Sequence, residues 1–233
     1  MPVTKKALVV HSGGMDSSLC LALAVKEFGA SEVLSVSFSY GQRHGVEIER
    51  AKKIAAHFNV AHTVVDLNCL QQITENALTD KNQAITHESG KAPSTLVVGR
   101  NGLMARVAGI HAQSLKAQCI YLGVMELEGA NSGYRDCSRA YMDLIQAALR
   151  LDFADDTFDI RSPLARVTKA QTMELGDELG VLSYLLEETV TCYNGIPKLG
   201  CQTCPACKLR NAGLREFLST HQDVGFSWKS QLN

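Results

Sequence analysis

The sequence predicts an open parallel α/β sheet with helices on both faces, followed by a cysteine-bearing segment that holds a metal. Three observations predict it. Short apolar runs of about five residues alternate with stretches whose apolar residues recur at helical spacing, the pattern of parallel strands joined by crossover helices. The first run stops at Ser12-Gly13-Gly14, and a helical pattern begins almost at once. Four of the 8 cysteines cluster late in the chain as Cys192-x8-Cys201-x2-Cys204-x2-Cys207.

Taken in order, Ala7–His11, Glu32–Phe38, His62–Asp66, Cys119–Val124 and Phe158–Ile160 read as strands. Ser17–Phe28 reads as a helix stopped by Gly29, a residue suited to the left-handed turn after a helix. Over Glu47–Phe58 the residues Ile48, Ala51, Ile54, Ala55 and Phe58 form one apolar face, leaving Glu49, Arg50 and Lys53 outside. Leu103–Leu115 is apolar almost all round and reads as a buried helix. Thr168-Lys169-Ala170-Gln171 fits a capping box opening a helix that runs to Leu179. The polar stretch Thr79–Thr95 reads as a long functional or mobile loop and Glu126–Ser138 as a second irregular one. Both are expected at the carboxyl ends of strands, where open α/β sheets bind ligands. The chain divides into an α/β domain, 1–188, and a metal-holding segment with a C-terminal helix, 189–233.

The 233 residues are 45% hydrophobic and 20% charged, with 23 basic and 24 acidic side chains and a net charge of -1. No basic block advertises a phosphate-backbone footprint, so a small-molecule substrate is expected and direct nucleic-acid binding is not. No run approaches the roughly 18 apolar residues of a membrane helix. The N-terminus lacks a cleavage-site pattern, and a cytoplasmic protein with no membrane partner is the expectation. In a reducing compartment the cysteine cluster reads as a metal site. Gly195, Pro197, Gly200 and Pro205 let the chain wrap one point, and four thiolates make a closed structural zinc arrangement. An iron–sulfur cluster or a redox pair uses similar spacing and stays open at this stage. Cys20, Cys69 and Cys119 read as buried small hydrophobes.

A strand, a Gly-Gly turn and a helix start form an anion site, with backbone N–H groups and the helix dipole facing inward. Neither G-x-x-x-x-G-K-[ST] nor G-x-G-x-x-G is present. The stretch Ser12-Gly13-Gly14-Met15-Asp16-Ser17 instead resembles the PP-loop signature of the N-type ATP pyrophosphatases. That resemblance implies ATP cleaved between its α and β phosphates, AMP moved to a substrate oxygen and pyrophosphate released. It assigns ATP to His11, Ser12, Gly13, Gly14, Met15, Asp16, Ser17, Ser18, Leu19, Cys20 and Leu21, with Asp16 also holding Mg²⁺ against the phosphates.

A wider set narrows the resemblance. Tyr40-Gly41-Gln42-Arg43-His44 follows the second strand, Gly99-Arg100-Asn101 opens the buried helix, and Ser132-Gly133-Tyr134-x-Asp136-Cys137 lies in a later loop. Ser162-Pro163-Leu164 precedes Lys169-Ala170, and Thr191-Cys192-Tyr193-Asn194-Gly195 opens the cysteine cluster. In this order and over nearly the whole chain, the set is similar to the 7-cyano-7-deazaguanine synthases of queuosine biosynthesis. The resemblance implies an adenine nucleotide alpha hydrolase-like fold, a homodimer, structural Zn²⁺ at Cys192, Cys201, Cys204 and Cys207, and ATP, ammonia and 7-carboxy-7-deazaguanine as substrates. It implies catalytic roles for Asp16, Arg43, Arg100 and Lys169, the cations stabilising phosphate charge. The acceptor site would comprise Asp136, Glu126, Ser132, Gly133 and Tyr134, with Asp136 first and Glu126 second as reader of the base's N–H edge. The chain departs from the family pattern at Val98, Arg135 and Ser138, around that site. A PP-loop enzyme acting directly on tRNA, lysidine synthetase- or thiolase-like, is the alternative; it calls for a basic face that the net charge does not favour.

Overall fold

The computed structural model describes residues 4–41, 45–74, 94–129 and 133–232. Five strands form one sheet: β1 (Ala7–Val10), β2 (Val33–Ser39), β3 (Ala61–Asp66), β4 (Cys119–Leu122) and β5 (Asp159–Arg161). Nine helices are described: α1 (Met15–Phe28), α2 (Val46–His57), α3 (Cys69–Ile73), α4 (Arg100–Ser114), α5 (Glu126–Gly129), α6 (Arg139–Phe153), α7 (Lys169–Glu178), α8 (Leu182–Glu188) and α9 (Pro205–Leu218). The strand order is β3-β2-β1-β4-β5 and every pairing is parallel. No described helix is long and apolar enough to cross a membrane.

The period of two along each strand builds a core on each face. Ala7 and Val9 of β1 and Cys119 and Tyr121 of β4 join Leu19, Ile54, Met173, Leu185 and Phe217 in one cluster. Leu8, Ile120 and Leu122 point the other way and join Met104, Ala108, Met142 and Leu149. Helices α1, α2, α7, α8 and α9 therefore cover one face, and α4 and α6 the other. The chain leaves β1 toward β2 and β3, then returns to place β4 on the opposite side. This puts the carboxyl end of β1 at the switch point where open sheets bind ligands.

All five predicted strands are present, each within a residue or two of its expected ends. Helix α1 starts at Met15, two residues earlier than expected, because Gly14 takes an extended N-cap conformation directly after the turn. The expected loop Thr79–Thr95 falls almost wholly outside the described residues. Within Glu126–Ser138 the chain forms α5 and a 3₁₀ turn over Arg135–Cys137.

Three expectations are corrected. The helix α4 is not buried all round: Ile110 is 57% exposed, and the hidden face is made of Gly102, Ala105, Ala108, Gly109 and Ala112. Small size there serves close approach, since a Cβ on Gly109 would stand 2.6 Å from Leu149 of α6. Helix α6 itself was not anticipated; Ser138 caps it, its hydroxyl accepting from the Tyr141 N–H at 3.2 Å. Cys69 is exposed on the short helix α3 that follows the edge strand β3, whereas Cys20 and Cys119 are buried as expected.

The capping box at Thr168 is complete. Its hydroxyl accepts from the Gln171 N–H, and Gln171 returns a carbonyl to the Thr168 N–H at 2.8 Å. Helix α7 then packs on α9 so tightly that a Cβ on Gly213 would lie 2.3 Å from Cβ of Lys169 and 2.9 Å from its backbone carbon. Gly213→Ala should therefore push α9 away from α7. A loss of roughly 1–3 kcal/mol in urea unfolding is expected, the usual range for overpacking a core contact; an unchanged unfolding midpoint would show that the two helices separate freely.

Candidate active site

The carboxyl ends of β1, β2 and β4 open into a cavity of about 890 Å³. The loop Ser12–Gly14 forms its floor. Gly13 has φ +81, and a Cβ on it would stand 2.2 Å from the backbone oxygen of Glu47. The close approach demanded by the glycine pair is thus first to the first turn of α2. Gly14 caps α1 without a side-chain hydrogen bond, so that helix end offers its backbone N–H groups to the cavity. Ser12 and Ser17 share a hydroxyl–hydroxyl bond of 3.0 Å, and the Ser17 hydroxyl also receives the Ser12 N–H at 3.1 Å.

Of the residues expected to hold ATP, His11, Ser12, Gly14, Met15, Asp16 and Ser17 line the cavity. Ser18, Leu19, Cys20 and Leu21 turn inward and are buried. His11 lies beneath the loop, with Nε2 3.0 Å from the Ser18 hydroxyl and Nδ1 2.9 Å from that of Ser35. The Ser35 hydroxyl is also 2.9 Å from Nδ1 of His62, whose Nε2 is buried with no partner among the described residues. Burial, aided by the neighbouring His62, pushes the His11 pKa down to about 3, so this ring is neutral.

Asp16 and Lys169 meet in an ion pair, with Lys169 almost fully buried and its ammonium also 2.9 Å from Met125 Sδ. Arg100 opens α4, donates to the Tyr40 hydroxyl at 3.2 Å and lies over the Tyr40 ring. Burial opposes its charge, but Tyr40, Tyr193, Asp136 and Glu47 together more than offset this and hold the guanidinium ionised. Glu47 faces the same space from α2, and burial raises its carboxyl to about 7 against the pull of Arg100. The Cys137 thiol, 3.3 Å from the Asn101 side-chain nitrogen, is raised to about 12 by burial first and Asp136 second, which keeps it protonated.

Asp136 and Glu126 were expected to face an acceptor's N–H edge, but neither lines the cavity. Each sits at a helix start. An oxygen of buried Asp136 accepts the Asn101 N–H at 2.9 Å, and one of Glu126 accepts the Arg139 N–H at 3.0 Å. Tyr134 does line the cavity, its hydroxyl bonded to that of Thr95, while Gly133 is exposed away from it. Arg43, His44 and Ser132 lie outside the described residues. Of the departures from the family pattern, Val98 and Arg135 are exposed and Ser138 caps α6, so none of the three lines the cavity.

The sulfurs of Cys192, Cys201, Cys204 and Cys207 lie within 4.8 Å of one another. Tetrahedral zinc thiolates at 2.3 Å stand about 3.8 Å apart, so this donor set fits a four-coordinate metal. The Cys204 and Cys207 N–H groups approach the sulfurs of Cys201 and Cys204 at 3.3 and 3.4 Å, the inward-facing backbone that supports thiolates. The same segment supplies one cavity wall through Thr191, Tyr193, Ala206 and Leu209. Sequence reasoning missed Glu47, hidden at the start of an amphipathic pattern. It also missed this wall, whose one signal was the juxtaposition of Thr191 and Tyr193 with Cys192.

Residues 6–218 match the family described as "Queuosine biosynthesis protein QueC". Among solved structures, the chain is similar to a 4-thiouridine synthetase in complex with RNA and bound ATP, at 17% identity and TM-score 0.51, covering 94% of this chain and 53% of that one. It is similar to NMN synthetase from Francisella tularensis, at 15% identity and TM-score 0.47 over 96% and 88% of the two chains. The U34-tRNA thiolase NcsA from Methanococcus maripaludis gives 14% identity and TM-score 0.48 over 97% and 76%. At these identities the likeness is one of fold.

His11 makes stability depend on pH. Its folded pKa lies below the ordinary 6.5, so only the unfolded chain takes up the proton as pH falls through 6.5. The associated stability is whole above that point and shrinks by about 2 kcal/mol by pH 5, at 1.36 kcal/mol per unit. Urea unfolding of His11→Gln should show a correspondingly smaller loss between pH 7.5 and 5 than the parent; equal losses would mean that the ring is already charged in the fold.

Proposed function

Because the chain belongs to the queuosine biosynthesis protein QueC family, we propose that it converts 7-carboxy-7-deazaguanine and ammonia to 7-cyano-7-deazaguanine, consuming two ATP. At the coarser level it is an ATP-using synthetase of that family. The observation that carries the specific reading is one continuous cavity that joins the Ser12–Ser17 loop to Arg100, Asn101, Tyr134 and Tyr193. Its volume of about 890 Å³ suits a nucleotide and a bicyclic acid side by side, within the range of ligand clefts.

In this reading ATP lies with its phosphates on the loop, where the α1 N–H groups and the Ser12 and Ser17 hydroxyls donate. Lys169 and Arg100 neutralise charge developing on the phosphates. Asp16 would hold Mg²⁺, which would supply positive charge against the phosphates. The acid's carboxylate oxygen attacks the α-phosphorus, ammonia displaces AMP to leave an amide, and the amide oxygen is activated by a second ATP before elimination gives the nitrile. Both activations present an oxygen on the same ring carbon substituent, so one site serves both. Asp136 acts on the acceptor side through α4, fixing Asn101 and hence the start of the helix that carries Arg100. Zinc at Cys192, Cys201, Cys204 and Cys207 would be structural, its closed thiolate shell contributing folding energy and no chemistry. The protein would act as a cytoplasmic homodimer on free small molecules.

The direct test offers a panel of carboxylic acids with ATP, Mg²⁺ and ammonium. Pyrophosphate release should depend on 7-carboxy-7-deazaguanine, with the amide appearing before the nitrile. Failure to consume that acid, together with salt-dependent retention of tRNA, would favour the RNA-directed reading. Asp16→Asn should reduce pyrophosphate release by at least about 100-fold in protein still folded at the assay temperature, with a lower unfolding midpoint because the buried Lys169 loses its charged partner; near-normal turnover would remove Asp16 from the reaction.

The metal is tested separately. Purified protein should carry close to one zinc per chain and be colourless, and Cys201→Ser should lower stability as well as activity. A brown protein carrying iron would replace zinc by an iron–sulfur cluster.

A further inference from the structure

The proposed reaction leaves protons on nitrogen that something must remove. When ammonia attacks the acyl adenylate, a C–N bond forms, the C–O bond to AMP breaks with its electron pair on AMP, and the new nitrogen sheds one proton to become the amide. When the amide oxygen is adenylated by a second ATP, the nitrogen still carries two protons. Both leave as the C–O bond breaks to AMP and the C≡N bond forms. Neither half uses an oxidant or reductant, but both need a base at the nitrogen.

Two carboxylates line the cavity among the described residues, Asp16 and Glu47. Asp16 is engaged by Lys169. The Glu47 carboxylate has no hydrogen-bond or ion-pair partner among the described residues, and the residue's backbone is held against the loop. Its backbone oxygen abuts Gly13 of the phosphate loop, and its side chain is in the electrostatic reach of Arg100 and the Tyr40 hydroxyl. An unengaged carboxylate fixed beside the loop that activates the acceptor is a group waiting for a ligand proton.

We propose that Glu47 is the general base of the amination and dehydration steps, taking the N–H protons that amide and nitrile formation release. The inference rests on the reaction proposed above and adds the residue that drives its second half of chemistry. The other titratable groups facing the cavity are unsuited: Tyr134 shares its hydroxyl with Thr95, and Lys208 carries an ammonium, which donates and does not accept. His11 is neutral with both ring nitrogens engaged, Cys137 is a protonated thiol, and burial raises the Tyr40 and Tyr193 hydroxyls. Lys169 is tied to Asp16 and Arg100 stays ionised. Glu47, raised to about 7 by burial and restrained by Arg100, divides evenly between acid and base near neutrality, where a general base works best.

The test separates activation from proton removal with Glu47→Gln, which keeps size and packing. Acid-dependent ATP–pyrophosphate exchange without ammonia reads activation alone and should stay within about threefold of the parent. Amide formation at constant free ammonia should fall by at least about 100-fold, and nitrile formation from supplied amide likewise, the span general-base catalysis contributes. In the parent both rates should rise with pH through about 7, and Glu47→Gln should lack that rise. Amide formation at the parent rate would overturn the proposal. So would loss of exchange together with amination, because Glu47 would then serve ATP or acid binding. A parent protein that shows no acid-dependent exchange would instead refute the substrate assignment, an outcome distinct from both.

Discussion

No side chain fits between the loop at Ser12–Gly14 and the segments packed on it. A Cβ on Gly13 would collide with the first turn of α2, and one on Gly123, just past β4, would stand 2.7 Å from the Ser17 nitrogen. From a third side the Val190 N–H donates to the Gly13 oxygen at 3.2 Å. The end of β1, the first turn of α2, the end of β4 and the approach to the cysteine cluster are thereby registered against a few backbone atoms. The cavity walls that these segments carry take their position from this contact. Protein interiors are close-packed, so a displacement of the loop would move all of them together.

The groups inside this frame would be unfavourable in an ordinary core. Lys169 is almost fully buried, Arg100 faces an apolar wall, and Glu47 has its carboxyl raised to about 7. Burying charge costs free energy unless a partner compensates it, and among the described residues only the Lys169–Asp16 pair of these groups is closed by direct charge contact. Arg100 relies on hydroxyls and on Asp136 and Glu47 at a distance. Among the described residues three cations, Lys169, Arg100 and Lys208, line the cavity beside Glu47, an arrangement that favours an anionic ligand. The apolar surroundings matter as much as the charges, because low dielectric strengthens each interaction with a bound phosphate.

Much of this was legible because local rules decide it. Strand length, the alternation of faces, the Gly-Gly turn and the capping box at Thr168 are all short-range, and each is present in the fold. The cysteines were readable because metal ligands must converge whatever lies between them. What escaped depends on tertiary placement. Glu47 belongs to a pattern whose neighbours Glu49 and Arg50 are surface charges, and only the packing of α2 on Gly13 turns it inward. Asp136 and Glu126 carry the right chemistry in the right loop, yet the starts of α4 and α6 leave N–H groups that need acceptors, and the two carboxylates satisfy them. Small residues made α4 look uniformly apolar, although they are small to admit α6. Cys69 departs from the general tendency of free cysteines to be buried and sits exposed past the sheet edge.

The cysteine cluster reaches the catalytic floor by a short mechanical path. Cys204 caps α9 and Cys207 lies in its first turn, so a metal held by the cluster would fix where that helix begins. Arg210, buried one turn further along, lies near the thiolates of Cys192, Cys204 and Cys207 and 5.1 Å from the Trp228 ring, tying the cluster to the C-terminal segment. Its guanidinium donates twice to Asn211, whose amide reaches the Leu199 carbonyl on the strand of chain leading into the cluster. One turn beyond, Gly213 seats against Lys169 with no room for a methyl group, and Lys169 holds Asp16. A metal held by the four cysteines would thus set the position of the Lys169–Asp16 ion pair beneath the Ser12–Ser17 loop. The path from the cysteine cluster to Asp16 is spanned by one helix and one buried lysine, packed so closely at Gly213 that a methyl group would not fit.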